Sequence, residues 1–463
     1  MTPVMSRAVI LCTMARLSFV SCTSSNSEEP ASLSTALETD DQCALQMRGN
    51  ATAQAGKEGE AANQTWGPWW RRQPKWDGGE WLRKAWEAWQ RNEANMEANM
   101  EAYWSENSCF AAPKSYGLAF KAQGSSFFDD FTFMTVDETH GANRYLTKEE
   151  ALKTGVVETS EEHGTILRTG DVEPSTAPNA TFKRQSVNLH SNHAWKPSEG
   201  MLVVMKYNHV PYGAGVWPAF WLMNSDIPWP QGGEFDILEY ANDEQSKVSF
   251  HTNRNCMLDQ HKVGQCMQGK PIGAPGSENC NTNYTENRLG CMPRHVQRSG
   301  EWFAKNPGVM AAAWDADSVT VYHIPNAEIP ADLSSDTPKP ETWGRFVLAY
   351  VPFDRHSCAD IAKPQEIVLN IALCGDWAGD SWLKSPTARR TGYTTGCIAN
   401  ISNPAGDCCS KFVLSNTHDV NGYMKHQAYF SIDYMKVFTP ADILSAPPLE
   451  SGTFKRGGVE IKG

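Results

Sequence analysis

The sequence predicts an all-β protein, a sandwich of antiparallel sheets, preceded by a polar and tryptophan-rich extension. Three observations lead there. From about Gly117 to Thr439 the chain breaks into short apolar or alternating runs punctuated by Gly, Pro, Asn and Asp, the pattern of strands joined by turns. Within single runs side chains alternate, so Trp217, Ala219 and Trp221 share one face, and so do Glu234 and Asp236. The length, 463 residues with 35 Gly and 27 Pro, fits one large loop-rich domain with appendages.

In chain order, residues 1–23 read as a secretory signal. "MTPVMSR" supplies a charged start and "AVILCTMARLSFVSC" an apolar stretch too short to span a bilayer comfortably. Arg16 interrupts the run, and a signal anchor or an unprocessed tail is the alternative reading. Residues 24–110 form an extension. Up to about Thr65 it is rich in Ser, Glu and Ala, with too little apolar content to fold alone. Eight tryptophans then fall between Trp66 and Trp104, with "EANM" repeated at 93–100. No Gly or Pro interrupts Glu80 to Trp104, and Leu82, Trp86, Trp89, Met96, Met100 and Tyr103 fall near one helical face. This helix is expected to pack on the main domain or another chain; the alternative is that its tryptophans stack on sugars. Residues 111–445 are the expected globular domain and 446–463 a tail.

The domain's strands are read from "GMLVVMKYNH", "GVWPAFWLM", "KVSFHT", "GVMAAAWD", "SVTVYHI", "EIVLNIAL" and "YFSIDYMKVF". A sandwich buries alternate residues of so many strands between its sheets. Of 13 cysteines, ten lie in or beside this domain, with Cys256, Cys266, Cys280 and Cys291 grouped in one insert. Disulfides are their expected use. Losing Cys12 and Cys22 with a signal leaves an odd number, hence one free or intermolecular thiol. No C-x-x-C pair exists, and His261 between Cys256 and Cys266 is poor ligand spacing, so no metal is expected. Sequons at Asn50, Asn63, Asn179, Asn283 and Asn400 fit a secreted, extracellular protein. The net charge of −12 argues against nucleic acid or an anionic membrane as partner. A monomer is expected, with no membrane contact beyond a signal anchor.

The chemistry is concentrated in "QGGEFDILEYAND", Gln231 to Asp243. Glu234, Asp236 and Glu239 sit in an otherwise apolar run, and charged groups tolerate burial only with a partner or a task. Period two puts Glu239 on the opposite face from the other two unless a β-bulge supplies one extra residue. A bulged strand would then bring two carboxyl groups together for retaining glycoside hydrolysis, one as nucleophile and one as acid/base, while Asp236 between them helps hold their pKa values apart. A plain acidic strand face explains Glu234 and Asp236 but leaves Glu239 pointing into the core.

The "GEFDILE" run resembles the active-site strand of glycoside hydrolase family 16 in its bulged E-x-D-x-x-E form; other members carry a form one residue shorter. "FFDDFTFMTVDETHGANRYL" (Phe127 to Leu146), "GVWPAFWLM" (Gly215 to Met223), "SFHTNRNC" (Ser249 to Cys256), "CGDWAG" (Cys374 to Gly379) and "YFSIDYMKVF" (Tyr429 to Phe438) follow the order found in laminarinase-like, fungal-type endo-β-1,3(4)-glucanases. The resemblance implies a concanavalin-like jelly roll, an endo-acting retaining β-glucanase, a β-glucan polysaccharide as partner and no cofactor. It implies Glu234 as nucleophile, Glu239 as acid/base and Asp236 as assisting carboxylate. Trp217 matches a cleft-bordering tryptophan and His251 a position close to the acid/base, while Trp221 and Trp377 are further candidate sugar contacts. Aromatics on strands are more often packing, and a lone strand histidine is more often structural. A non-catalytic glucan-binding lectin, a wall transglycosylase or cleavage of an algal galactan are the alternatives.

Overall fold

The computed structural model describes residue 109 and residues 114–160, 164–174, 182–283, 289–358, 362–396, 407–415 and 423–443. The signal segment, the extension up to residue 108, the tail 446–463 and the sequons at Asn50, Asn63, Asn179 and Asn400 lie outside these residues.

The strands, in chain order, begin with β1 (Tyr116–Gln123), β2 (Phe131–Phe133), β3 (Asn143–Tyr145), β4 (Val157–Ser160), β5 (Gly164–Arg168), β6 (Val172–Pro174), β7 (Phe182–Ser186), β8 (Asn188–Trp195) and β9 (Met201–His209). They continue with β10 (Val216–Met223), β11 (Glu234–Glu239), β12 (Lys247–His251), β13 (Gly308–Trp314), β14 (Ser318–Pro325), β15 (Val347–Pro352), β16 (Gln365–Leu373) and β17 (Tyr429–Pro440). One sheet runs β15-β14-β13-β9-β17-β5-β4, with β1 also paired to β17. The other runs β12-β11-β10-β16-β8-β2. Both are antiparallel. A small third sheet, β3-β7-β6, contains a parallel pair, β3 with β7, which the sequence pattern did not foresee.

The six-stranded sheet is two-faced, and β10 shows why. Val216, Phe220 and Leu222 are fully buried, whereas Trp217, Trp221 and Met223 alternate with them and remain partly open. The buried faces of β11 and β12 press on the opposite sheet through Phe235 and Phe250. Their rings lie 5.3 and 5.7 Å from Trp314 at the end of β13, and Phe353 closes on Phe250 at 5.2 Å. This aromatic core makes the partly open face a rigid floor, since such packed rings repack only at several kcal/mol.

Disulfides tie the long connections to this framework, as the cysteine usage predicts. Cys280–Cys291 closes the insert on itself, while Cys256–Cys358 and Cys109–Cys266 carry it to distant parts of the chain. Cys374–Cys409 links the end of β16 to the helix Cys408–Ser415.

Chain-entropy reasoning ranks these bonds. The Cys256–Cys358 loop spans 102 residues and the Cys280–Cys291 loop 11. Replacing the first pair by alanine should cost about 5 kcal/mol and the second about 3 kcal/mol. Guanidinium unfolding of the two double variants checks the order, and equal or reversed losses contradict it.

Candidate active site

The site starts from the register of β11. Against β10, Glu234 faces Met223 and Asp236 faces Trp221, but Leu238 then faces Phe220 and Glu239 faces Ala219. Against β12, Glu234 pairs with His251, Asp236 with Ser249 and Glu239 with Lys247. On both sides β11 spends one residue more than its neighbour, so Ile237 is the extra residue of a β-bulge. The consequence is geometric. Met223, Trp221 and Ala219 alternate onto one face of β10, so their partners Glu234, Asp236 and Glu239 share that face too. Ile237 and Leu238 go to the core side, 1% and 3% exposed.

Each carboxyl has its own anchor. Trp229 Nε1 donates to Glu234 Oε2 at 2.5 Å, and Trp217 Nε1 donates to Glu239 Oε1 at 2.8 Å. Asp236, 1% exposed, receives Ser249 Oγ at 2.7 Å and lies 3.0 Å from His251 Nε2 on the same oxygen. That His251 nitrogen is also 3.7 Å from Glu234 Oε1. Gly290 packs on the histidine from the insert: a Cβ there would sit 2.3 Å from Phe250 O and 2.9 Å from His251 Nδ1, with φ at +64°. Only glycine fits so close an approach in that backbone conformation.

Burial and mutual repulsion separate the acids from ordinary carboxyls. Burial, then the Asp236 charge, pushes Glu239 up to about 8, against the pull of the Trp217 N–H. The same two causes push Glu234 only to about 7, because His251 and the Trp229 N–H hold it down. Burial disfavours the His251 cation, but Glu234 and Asp236 outweigh it and raise the imidazole to about 9. Of the two flanking acids, Glu239 therefore keeps its proton to higher pH.

A second layer surrounds these groups. Trp377 stands edge-to-face on Trp217 at 5.7 Å, and the Lys247 ammonium lies 4.1 Å above the Trp377 ring. Trp377 belongs to the segment Gly375–Gly379, whose Asp376 meets His140 Nδ1 at 2.9 Å. Trp221 Nε1 donates to Asn370 Oδ1 at 2.7 Å. All three predicted acids, Trp217 and His251 thus come together, with Trp377 one contact away and Trp221 paired with Asp236 on the adjacent strand, its indole turned to Asn370. Trp229, Ser249 and Lys247 were missed. Trp229, five residues before Glu234 in "WPQGGE", was the legible one.

Glu234, Asp236 and His251 place ligand atoms within 4.8 Å of one another, close enough to hold a cation, although their bonds to each other and to Trp229 and Ser249 already employ them. The Cys374, Asp407 and Cys409 cluster offers no thiolate, because its cysteines are joined. Among the described residues no helix is long and apolar enough to cross a membrane.

Comparison with known proteins agrees with this geometry. A family model described as an XgeA-like, catalytic GH16 domain matches residues 130–438. A probable glycosidase of Schizosaccharomyces pombe is 30% identical over 332 residues, covering 70% of each chain. An endo-1,3(4)-β-glucanase of Arthroderma benhamiae is 27% identical, over 70% of this chain and 65% of its own, and a probable one of Aspergillus fumigatus is matched over only 46% of its length. Among solved structures, an elongating family 16 β-1,3-glucosyltransferase and laminarinase 16A of Phanerochaete chrysosporium, the latter holding 6-O-glucosyl-laminaritriose, superpose with TM-scores of 0.57 and 0.55. Both are 25% identical and are covered completely by 70% of this chain. The sandwich is accordingly the jelly roll that the resemblance implied. With the bulged strand, its three acids and a family model spanning most of the described domain, the chain belongs to glycoside hydrolase family 16.

Proposed function

We propose that this protein is a secreted, endo-acting β-glucanase that cleaves β-1,3 or mixed β-1,3(4) linkages with retention, through a catalytic domain of residues 111–445. The observation that carries the reading is the bulged strand, which turns Glu234, Asp236 and Glu239 to one partly open, tryptophan-lined face and leaves the two flanking acids with different proton affinities. Glucan-active relatives and the disulfide-bonded framework support the substrate and the compartment.

In this mechanism Glu234 attacks the anomeric carbon as a carboxylate while Glu239 gives its proton to the departing glycosidic oxygen. A covalent glycosyl–Glu234 ester results. Glu239, now ionised, takes a proton from water, which opens the ester and restores the original anomer. The roles follow from the surroundings: Glu234 has the protonated His251 and the Trp229 N–H close by to favour its charge, whereas at Glu239 burial and two carboxyl neighbours outweigh the Trp217 N–H and the more distant pull of His251, even with Lys247 on the adjacent strand. Asp236, fixed by Ser249 and His251, repels a charge on Glu239 and keeps it protonated for the first step. Trp217 orients Glu239, and with Trp377 it walls the adjoining part of the cleft, where an aromatic face suits a pyranose ring.

Incubation with laminarin, mixed-linkage glucan, xyloglucan and agarose, with products followed by proton NMR, tests the reading. Internal cleavage of the first two with β-anomer formed first is expected. Glu239→Ala should lose roughly 10²–10⁴-fold on laminarin but far less on an aryl glycoside with a good leaving group. Glu234→Ala should lose both activities, with azide yielding only inverted product. Parent-level turnover by either variant contradicts the assignment.

The raised pKa values also have a sign for stability. A carboxyl that binds its proton more tightly folded than unfolded contributes stability at low pH and loses it as pH rises from the unfolded value toward about 8 for Glu239. Glu239→Gln should therefore melt near the parent temperature at pH 5 and increasingly above it toward pH 8.5. Thermal scans across that range decide, and a gain that shrinks with rising pH counts against the buried acid.

A further inference from the structure

A second polar cluster lies on the same sheet face, away from the three acids, and the mechanism makes no use of it. Across adjacent strands Asp236 pairs with Trp221, Trp221 with Val368 and Val368 with His190. These residues form one row on one face. Three strand spacings separate Asp236 from His190, about 14 Å, a distance that only a chain of several sugar units covers.

His190 is built into its position. It is 6% exposed, and its Nδ1 lies 3.1 Å from Glu366 Oε2, while Ser225 Oγ donates to Glu366 Oε1 at 2.6 Å. Glu366 itself is 7% exposed. With both carboxylate oxygens accepting, the imidazole proton belongs on Nδ1. Nε2 has no protein partner among the described residues. It is absent from the fully enclosed unsatisfied atoms, so part of its surface is open, and the row it shares with Asp236 and Trp221 sets that surface on their side of the sheet. The imidazole stands edge-to-face to Trp221 at 6.5 Å, and Asn370 holds that indole from its other end.

A buried histidine of fixed tautomer with an open acceptor, beside a held tryptophan, has the chemistry of a sugar site. The indole meets a C–H face and Nε2 accepts one hydroxyl. A neutral glucan suits it better than an acidic one, because Glu366 behind the ring repels a carboxylate or sulfate. We propose that His190, held by Glu366 beside Trp221, forms a distal subsite that binds a hydroxyl of a glucosyl unit several residues from the bond cleaved. The subsite rests on the glucanase reading above and adds to it a dependence on chain length.

The test compares laminaritriose with laminarihexaose as substrates of the full chain, and titrates both into the Glu234→Gln variant by calorimetry. His190→Ala should lower the ratio of kcat/KM for hexaose over triose about tenfold, the weight of one hydrogen bond to a neutral group, and weaken hexaose binding to the inactive variant by a similar factor. His190→Gln, which keeps an acceptor, should recover most of both and serves if the alanine variant does not fold. A folded His190→Ala or His190→Gln variant with an unchanged length ratio and unchanged hexaose affinity overturns the subsite while leaving the glucanase reading intact. If the parent cleaves neither oligosaccharide yet binds hexaose through His190, the catalytic reading falls and the subsite stands. If it neither cleaves nor binds, both fall.

Discussion

Three carboxyl groups removed from water on one strand face are the constraint around which the rest of the cleft is arranged. Like charges at such separations in a protein repel by several kcal/mol. The cluster therefore cannot carry three negative charges without compensation. One cation, His251, sits between Glu234 and Asp236, a second, Lys247, acts on Glu239 and Asp236 from the neighbouring strand, and an indole N–H donates to each of the two flanking acids. The remaining strain is relieved by a proton on Glu239. In the proposed mechanism the proton donor and the nucleophile are thus two outcomes of one electrostatic problem, solved differently at each end of a six-residue strand.

That solution holds only if the strand cannot yield. Phe235 and Phe250 project to the opposite side of the same strands and lock against Trp314, so the acids stand on a close-packed aromatic base. The insert adds a lateral support. Gly290 touches the imidazole that compensates the acids, and the disulfide Cys280–Cys291 fixes the backbone beside it. Core packing, disulfides and proton affinity are in this way parts of one mechanical chain.

Much of this was legible because it depends on parity. "EFDILE" places its acids at offsets of two and five, and that mismatch with the strand period is enough to demand the bulge. "GVWPAFWLM" likewise reveals Trp217 and Trp221 on one face by counting alone. What stayed hidden depends on register between distant segments. Lys247 meets Trp377 across 130 residues of sequence, Cys109 meets Cys266 across 157, and His190 meets Glu366 across 176. No local pattern marks such partners, since each residue taken alone looks like an ordinary strand or loop position. Trp229 was the intermediate case: near in sequence, yet bent over Glu234 by a Pro-flanked turn that period counting does not resolve.

The bulge at Ile237 also makes the strand tolerant of a particular kind of genetic change. Removing that one residue would leave three acids at offsets of two and four, both even, so a regular strand would present the same trio to the same cleft. A deletion between Glu234 and Asp236 would instead turn one acid inward, onto Trp314 and its neighbours. Codon loss is thus asymmetric along six residues, harmless to the facing of the acids on one side of Asp236 and ruinous on the other. A lineage of such enzymes can shorten its active-site strand by one codon without passing through an intermediate whose acids face apart.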